Sequence, residues 1–143
     1  MLKNIPPLLS PDLLHALRSM GHGDRLAIVD ANYPAASAGP RLVRLDGHPA
    51  TDVLAAVLEV MPLDDFVDDA AVIMAVVGDP GRTEPIMTEF EACVQRYEPE
   101  QRLMRLERFD FYEAAAGAFA MVATGESRLY GNIILRKGVI RPD

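Results

Sequence analysis

The feature that most constrains the fold is a regular exchange, along the whole chain, of short apolar runs with stretches of helical spacing. The segments 25–30, 71–77, 119–124 and 132–135 read as apolar strands, 41–45 alternates polar and apolar as a strand does, and 102–108 is strand-like around Leu103, Met104 and Leu106. Between them lie segments with apolar residues three and four apart. The resulting order is helix, strand, loop, strand, helix, strand, helix, strand, helix, strand, strand. That order predicts a three-layer α/β/α architecture on a mixed sheet, in one domain spanning residues 1–143.

Local signals fix several boundaries. Ser10 followed by Pro11 is an N-cap and first helical residue, and Leu13, Leu14, Leu17 and Met20 share one face of the helix they open, with Gly21 as its stop. Thr51-Asp52 predicts the start of a second helix carrying Val53, Leu54, Val57 and Leu58, ended by Pro62. Ile86, Phe90, Cys93, Val94 and Tyr97 mark a third, which makes Cys93 a core residue rather than a nucleophile. The loop 31–40 holds two prolines and has no period, and loops of that length in a compact domain are commonly functional.

Charge and composition exclude whole classes of function. A formal charge of −7 with dispersed acidic residues opposes a nucleic-acid surface, which needs clustered Lys and Arg. No run approaches a membrane span, and the proline-broken start of the chain does not read as a signal peptide. With one cysteine there is no intramolecular disulfide, so a cytoplasmic protein is expected. His15, His22 and His48 share no metal-ligand spacing, and neither a phosphate loop nor a Gly-x-Ser-x-Gly elbow is present. No metal site is expected. The acidic stretch Asp64, Asp65, Asp68, Asp69 matches no calcium loop and reads as a solvated segment.

The candidate chemistry is concentrated at few positions. His22, in the turn Gly21-His22-Gly23-Asp24, is the strongest acid/base candidate, because an unperturbed imidazole titrates near pH ~6.5; the same position also suits an exposed turn histidine. Asp30, where a strand gives way to a loop, can orient that imidazole or bind a hydroxylated ligand. It fits an Asx turn equally well. Arg108 before an aromatic cluster can fork two ligand oxygens or close a strand-end salt bridge. Tyr130-Gly131-Asn132 offers a phenol and an amide suited to sugar hydroxyls, or simply a turn into a strand.

Taken together, Met20-Gly21-His22-Gly23-Asp24, Asp30-Ala31-Asn32-Tyr33-Pro34, Phe111-Tyr112-Glu113, Ala123-Thr124-Gly125-Glu126 and Tyr130-Gly131-Asn132-Ile133-Ile134-Leu135 resemble the family of L-fucose mutarotases and related D-ribose pyranases. The resemblance covers nearly the whole chain. It implies an isomerase that interconverts the anomers of L-fucose, with His22 as proton donor and Asp30, Arg108, Tyr130, Gly131 and Asn132 as the sugar-binding set. It also implies that no cofactor or metal is needed, and that copies assemble into homo-oligomers, in bacteria typically rings of ten, with sites where subunits meet. The ribose-type branch carries a histidine at the place of Arg108, so arginine favours the fucose branch. The alternatives are a pyranase acting on ribose and a ring-forming sugar-binding protein without catalysis.

Overall fold

The computed structural model describes residues 1–143. Its strands are β1 (Arg25–Val29), β2 (Arg41–Leu45), β3 (Ala71–Met74), β4 (Met104–Leu106), β5 (Ala120–Thr124) and β6 (Ile133–Arg136). Its helices are α1 (Pro11–Ser19), α2 (Ala50–Leu58), α3 (Pro85–Tyr97) and α4 (Arg108–Ala116), and one 3-10 turn, Ala35–Ser37, sits in the long loop after β1. The expected order of elements and the α/β class hold. All six strands join one sheet in the order β2-β5-β1-β6-β3-β4.

Strand direction is what positions the site. β2, β5 and β1 pair in parallel, as do β3 and β4, while β6 runs antiparallel to both β1 and β3. Five strands therefore end at one edge of the sheet, and β6 begins there. Asp30, Arg108 and Asn132, far apart in the chain, are brought to that edge by the ends of β1 and β4 and the start of β6. It is the favoured ligand address of an open α/β sheet.

Strand alternation splits the core into two layers. Leu26 and Ile28 of β1 join α1, α2 and α3 in the larger cluster through Leu13, Leu17, Val53, Leu54, Ile86 and Phe90. Ala27 and Val29 face the other side, where Phe111 and Ala115 of α4 and Ala35 of the 3-10 turn cover them. The loop 31–40 is thus a lid on one face of the sheet.

Ser10 Oγ accepts the Leu13 N–H and starts α1 as expected, and the other end of the helix lies at the opposite edge of the sheet, beside the end of β6. The helix closes by an unanticipated device: the Lys137 ammonium donates to the carbonyls of Leu17 and Met20, at 2.7 Å each. Gly138 makes a close approach possible here, because a Cβ at that position would overlap the Leu63 carbonyl. This contact lays residues 62–64 against the end of β6, with the Asp64 N–H donating to the Arg136 carbonyl at 3.0 Å.

Candidate functional site

Asp30 is the centre of the site. It is only 5% exposed, and its carboxylate is held from several sides. Oδ1 accepts the Asn32 N–H at 2.9 Å and Oδ2 accepts Asn132 Nδ2 at 2.8 Å, while the Asp30 N–H donates to Asn132 Oδ1 at 2.9 Å. The N–H groups of Tyr33 and Gly131 also face the carboxylate. Asn132 therefore spends its acceptor and one donor on Asp30 and fixes its orientation. Burial raises the Asp30 pKa above its ordinary value of 3.8, and the hydrogen bonds from Asn32 and Asn132 offset only part of that rise.

Around this carboxylate lies a cavity of about 200 Å³, lined also by Arg108, Tyr130 and Asn132. That is smaller than the ~300–1,000 Å³ typical of drug-sized pockets and suits one small ring. Tyr130 Oη accepts the Val77 N–H at 3.2 Å, which leaves its own proton to donate elsewhere. Arg108 opens α4, its guanidinium lying 4.6 Å from the Phe109 ring centroid and its buried Nε having no hydrogen-bond partner. An unpartnered buried donor beside a cavity is what an oxygen-rich ligand satisfies. Gly131 does not line the cavity; a Cβ there would come within 2.7 Å of Glu126 Cγ, so the backbone passes where only glycine fits.

Sequence reasoning missed part of this wall. The Tyr33 and Tyr112 rings pack at a tilt of 59° with centroids 5.2 Å apart, and Met74, Val77 and Leu129 supply an apolar side. Burial, with the nearby Tyr112 and Asp30, pushes the Tyr33 phenol up to about 12, so it stays a neutral donor. Tyr33 and Tyr112 stand in segments that carry the family resemblance, but with no role of their own, and the apolar Met74 and Val77 read as one buried run; only strand direction shows that they rim a cavity.

His22 is not in this cavity. It precedes β1 while Asp30 follows it, and five strand residues at ~3.3 Å each separate the two by at least ~16 Å. The expectation that Asp30 orients this imidazole within one chain is therefore corrected. The partner is Asp64, whose Oδ2 lies 3.2 Å from His22 Nε2. The reading of residues 64–69 as a solvated acidic segment fails at the same point, since Asp64 is 3% exposed. Burial opposes its ionisation, yet the Phe66 N–H, His22 and the nearby Arg136 hold its carboxyl below the ordinary 3.8. His22 itself is 47% exposed, with the Phe66 ring 5.6 Å away. The pair forms a backed, half-exposed imidazole: the carboxylate accepts a hydrogen bond from Nε2 and leaves Nδ1 as the ring nitrogen not engaged by Asp64.

The raised pKa of Asp30 gives a pH test. Folding favours its protonated form, so its contribution to stability is fully present below 3.8 and is lost as pH rises through the higher folded value. Asp30→Asn removes this titration. The stability difference between native protein and variant, measured by urea unfolding, is expected to shift against the native protein as pH rises across that window; a difference independent of pH would contradict the assignment.

Comparison with known proteins gives the family and the fold. The sequence matches the RbsD / FucU transport protein family over residues 3–140. It is 48% identical to the human fucose mutarotase over 145 residues, covering 97% of this chain and 94% of that protein. The structure of FucU from Bifidobacterium longum superposes with a TM-score of 0.92 at 41% identity, covering 97% of this chain and all of that one. The fucose mutarotase of Streptococcus pneumoniae, solved in complex with L-fucose, superposes with a TM-score of 0.89 at 43% identity, covering 98% of this chain and 100% of the other. With its sequence matched from residue 3 to residue 140 and its fold superposing on solved members over nearly the whole chain, the chain belongs to the RbsD/FucU family.

Proposed function

We propose that this protein is a mutarotase that interconverts the α and β anomers of L-fucose. The observation that carries the reading is the ring-sized cavity in which a buried carboxylate, a guanidinium with a free donor, and a phenol converge beside an apolar wall. A 6-deoxy sugar needs both surfaces: hydroxyls for Asp30, Arg108 and Tyr130, and a methyl for Met74, Val77 and Leu129. The relatives that share the fold at more than 40% identity include fucose mutarotases, which supports this substrate over ribose.

The chemistry asks little of the protein. The hemiacetal opens when a proton reaches the ring oxygen and another leaves the anomeric hydroxyl; the aldehyde rotates about its bond to C2 and recloses on either face. His22 is assigned as the group that delivers and recovers the proton, through Nδ1, with Asp64 stabilising the imidazolium that forms between transfers. Asp30, Arg108 and Tyr130 hold the ring, and Asn132 holds Asp30.

His22 reaches a sugar in the cavity only if it comes from a second copy. Both edges carry exposed apolar side chains: Phe66 and Ile140 near His22, and Val77, Phe109 and Leu129 near the cavity. Head-to-tail docking of one edge on the other buries both and generates a ring if the rotation closes. A ring of ten is the size that the family resemblance favours. No helix is long and apolar enough to cross a membrane, and the single free cysteine suits the reducing cytoplasm.

Saturation-transfer NMR on L-fucose tests the activity. Exchange between the α and β anomeric protons is expected to exceed the buffer rate at catalytic protein concentration, and to exceed any acceleration of D-ribose ring-form exchange. Exchange no faster than in buffer would leave a sugar-binding protein.

A further inference from the structure

Three acidic side chains are buried, and two of them, Asp30 and Asp64, have places in the chemistry above. The third, Glu126, has none. It is 3% exposed and nonetheless densely partnered. Oε1 accepts the Arg128 N–H at 3.1 Å and Arg128 Nε at 2.9 Å, and Oε2 accepts Arg128 Nη2 at 3.1 Å. The Ala50 N–H, at the first turn of α2, faces the same carboxylate. The far side of the guanidinium reaches α3, with Arg128 Nη1 2.8 Å from Glu89 Oε1.

The main chain of Glu126 is tied as firmly. Its N–H donates to Thr124 Oγ1 at 3.2 Å, and its carbonyl accepts the N–H of Ala31, the residue after Asp30, at 2.8 Å. Four residues on, Tyr130 has φ +62°, a left-handed conformation that a bulky side chain adopts only when its surroundings impose it. Gly131 then passes against Glu126 Cγ. The loop 125–132 thus carries a strained tyrosine and Asn132 into the cavity, and Glu126 is where that loop is fastened to β1, α2 and α3.

We propose that Glu126, clamped by Arg128, is the positioning residue of the sugar site: it holds the loop in the one conformation that sets the Tyr130 hydroxyl on Val77 and the Asn132 amide on Asp30 before a sugar arrives. Side-chain hydrogen bonds from Arg128 keep the carboxyl below its ordinary range in spite of burial, so the clamp is charged at neutral pH. A bidentate guanidinium is the part of the clamp that a lysine cannot reproduce. Because His22 and Asp64 lie at the other edge of the sheet, loosening the clamp weakens sugar binding and leaves proton transfer at saturation intact.

The inference rests on the anomer-exchange reading, and the test separates the two. Glu126→Gln, Arg128→Met and Arg128→Lys are compared with native protein for KM and kcat on L-fucose, for L-fucose binding by calorimetry, and for thermal unfolding. Arg128→Met is expected to raise KM and Kd together by about ten- to a hundredfold with kcat within about twofold, and Arg128→Lys to fall between it and the native protein. Glu126→Gln should follow Arg128→Met. If that variant does not fold, the Arg128 variants decide, since this side chain is 40% exposed and its loss empties no core. An unchanged KM in folded Arg128→Met, or a fall in kcat with KM preserved, overturns the proposal. Native protein that binds L-fucose but exchanges no anomers overturns the mutarotase reading alone, and a weaker Kd in Arg128→Met then still supports the clamp.

Discussion

His22→Ala is expected to lower the rate of L-fucose anomer exchange about 10²- to 10⁴-fold, the usual contribution of one placed general acid or base. Binding of L-fucose should survive, because every hydroxyl-binding group lies at the other edge of the sheet. Asp64→Asn is expected to cost less. Its amide oxygen can still accept from Nε2 and keep the ring oriented, while the charge that stabilises the imidazolium is gone. The Asp64 carboxyl is held below 3.8, so its contribution to stability is present above that value and is lost as pH falls further; it does not titrate anywhere near neutrality. Any acid limb of the native rate above pH 5 that persists in Asp64→Asn therefore belongs to another group. The measurement is saturation transfer between the two anomeric protons at matched protein concentrations. Native exchange in His22→Ala would remove the imidazole from the mechanism.

The order of the elements was legible because each buried strand is a compact apolar run and each helix a spaced one. Strand ends were less so. Residues 71–77 are apolar throughout, yet β3 stops at Met74, because the chain leaves the sheet to form the cavity rim at Val77. Apolar character reports burial, not pairing. The run 102–108 shrinks to Met104–Leu106 for a related reason: Arg108 already opens α4, with the Glu107 side chain accepting the Phe109 N–H. Thr51-Asp52 suggested a local cap for α2, whereas the helix starts at Ala50 behind Pro49 and makes no side-chain cap hydrogen bond of its own. The Glu126 carboxylate, distant in sequence, faces that first turn instead.

The candidate site divides in the same way. Asp30, Arg108, Tyr130 and Asn132 share one cavity, and each stood out as a polar residue at the end or start of an apolar run. The link between His22 and Asp30 rested on closeness in sequence, and a strand turns closeness in sequence into separation in space. Asp64 was hidden among neighbouring aspartates. Nothing periodic distinguishes it, since its burial depends on the close approach that Gly138 permits from the other end of the chain.

Mixing two inactive variants is expected to restore activity. His22→Ala lacks the proton donor but keeps a complete cavity; Asp30→Asn keeps the donor but replaces the carboxylate at the centre of the cavity. Each alone should turn over little. If His22 of one copy serves the cavity of the next, a ring assembled from equal amounts of both contains junctions where an intact His22 edge meets an intact Asp30 edge. At random assembly these make up about a quarter of all junctions, because each edge is intact half the time. Co-expression, or joint dissociation and reassembly, followed by anomer exchange on L-fucose, reads this directly. Mixing the two folded proteins without subunit exchange should give nothing, which separates restored sites from residual activity of either variant. A site contained within one chain predicts no recovery under any mixing protocol, since every chain then carries a defect in its own site. Recovery near a quarter would fix the donor and the cavity on different copies, and would explain why the fold can keep them at opposite edges of one sheet: the β1–β6 pair carries a cavity at one end and the donor for a neighbour's cavity at the other.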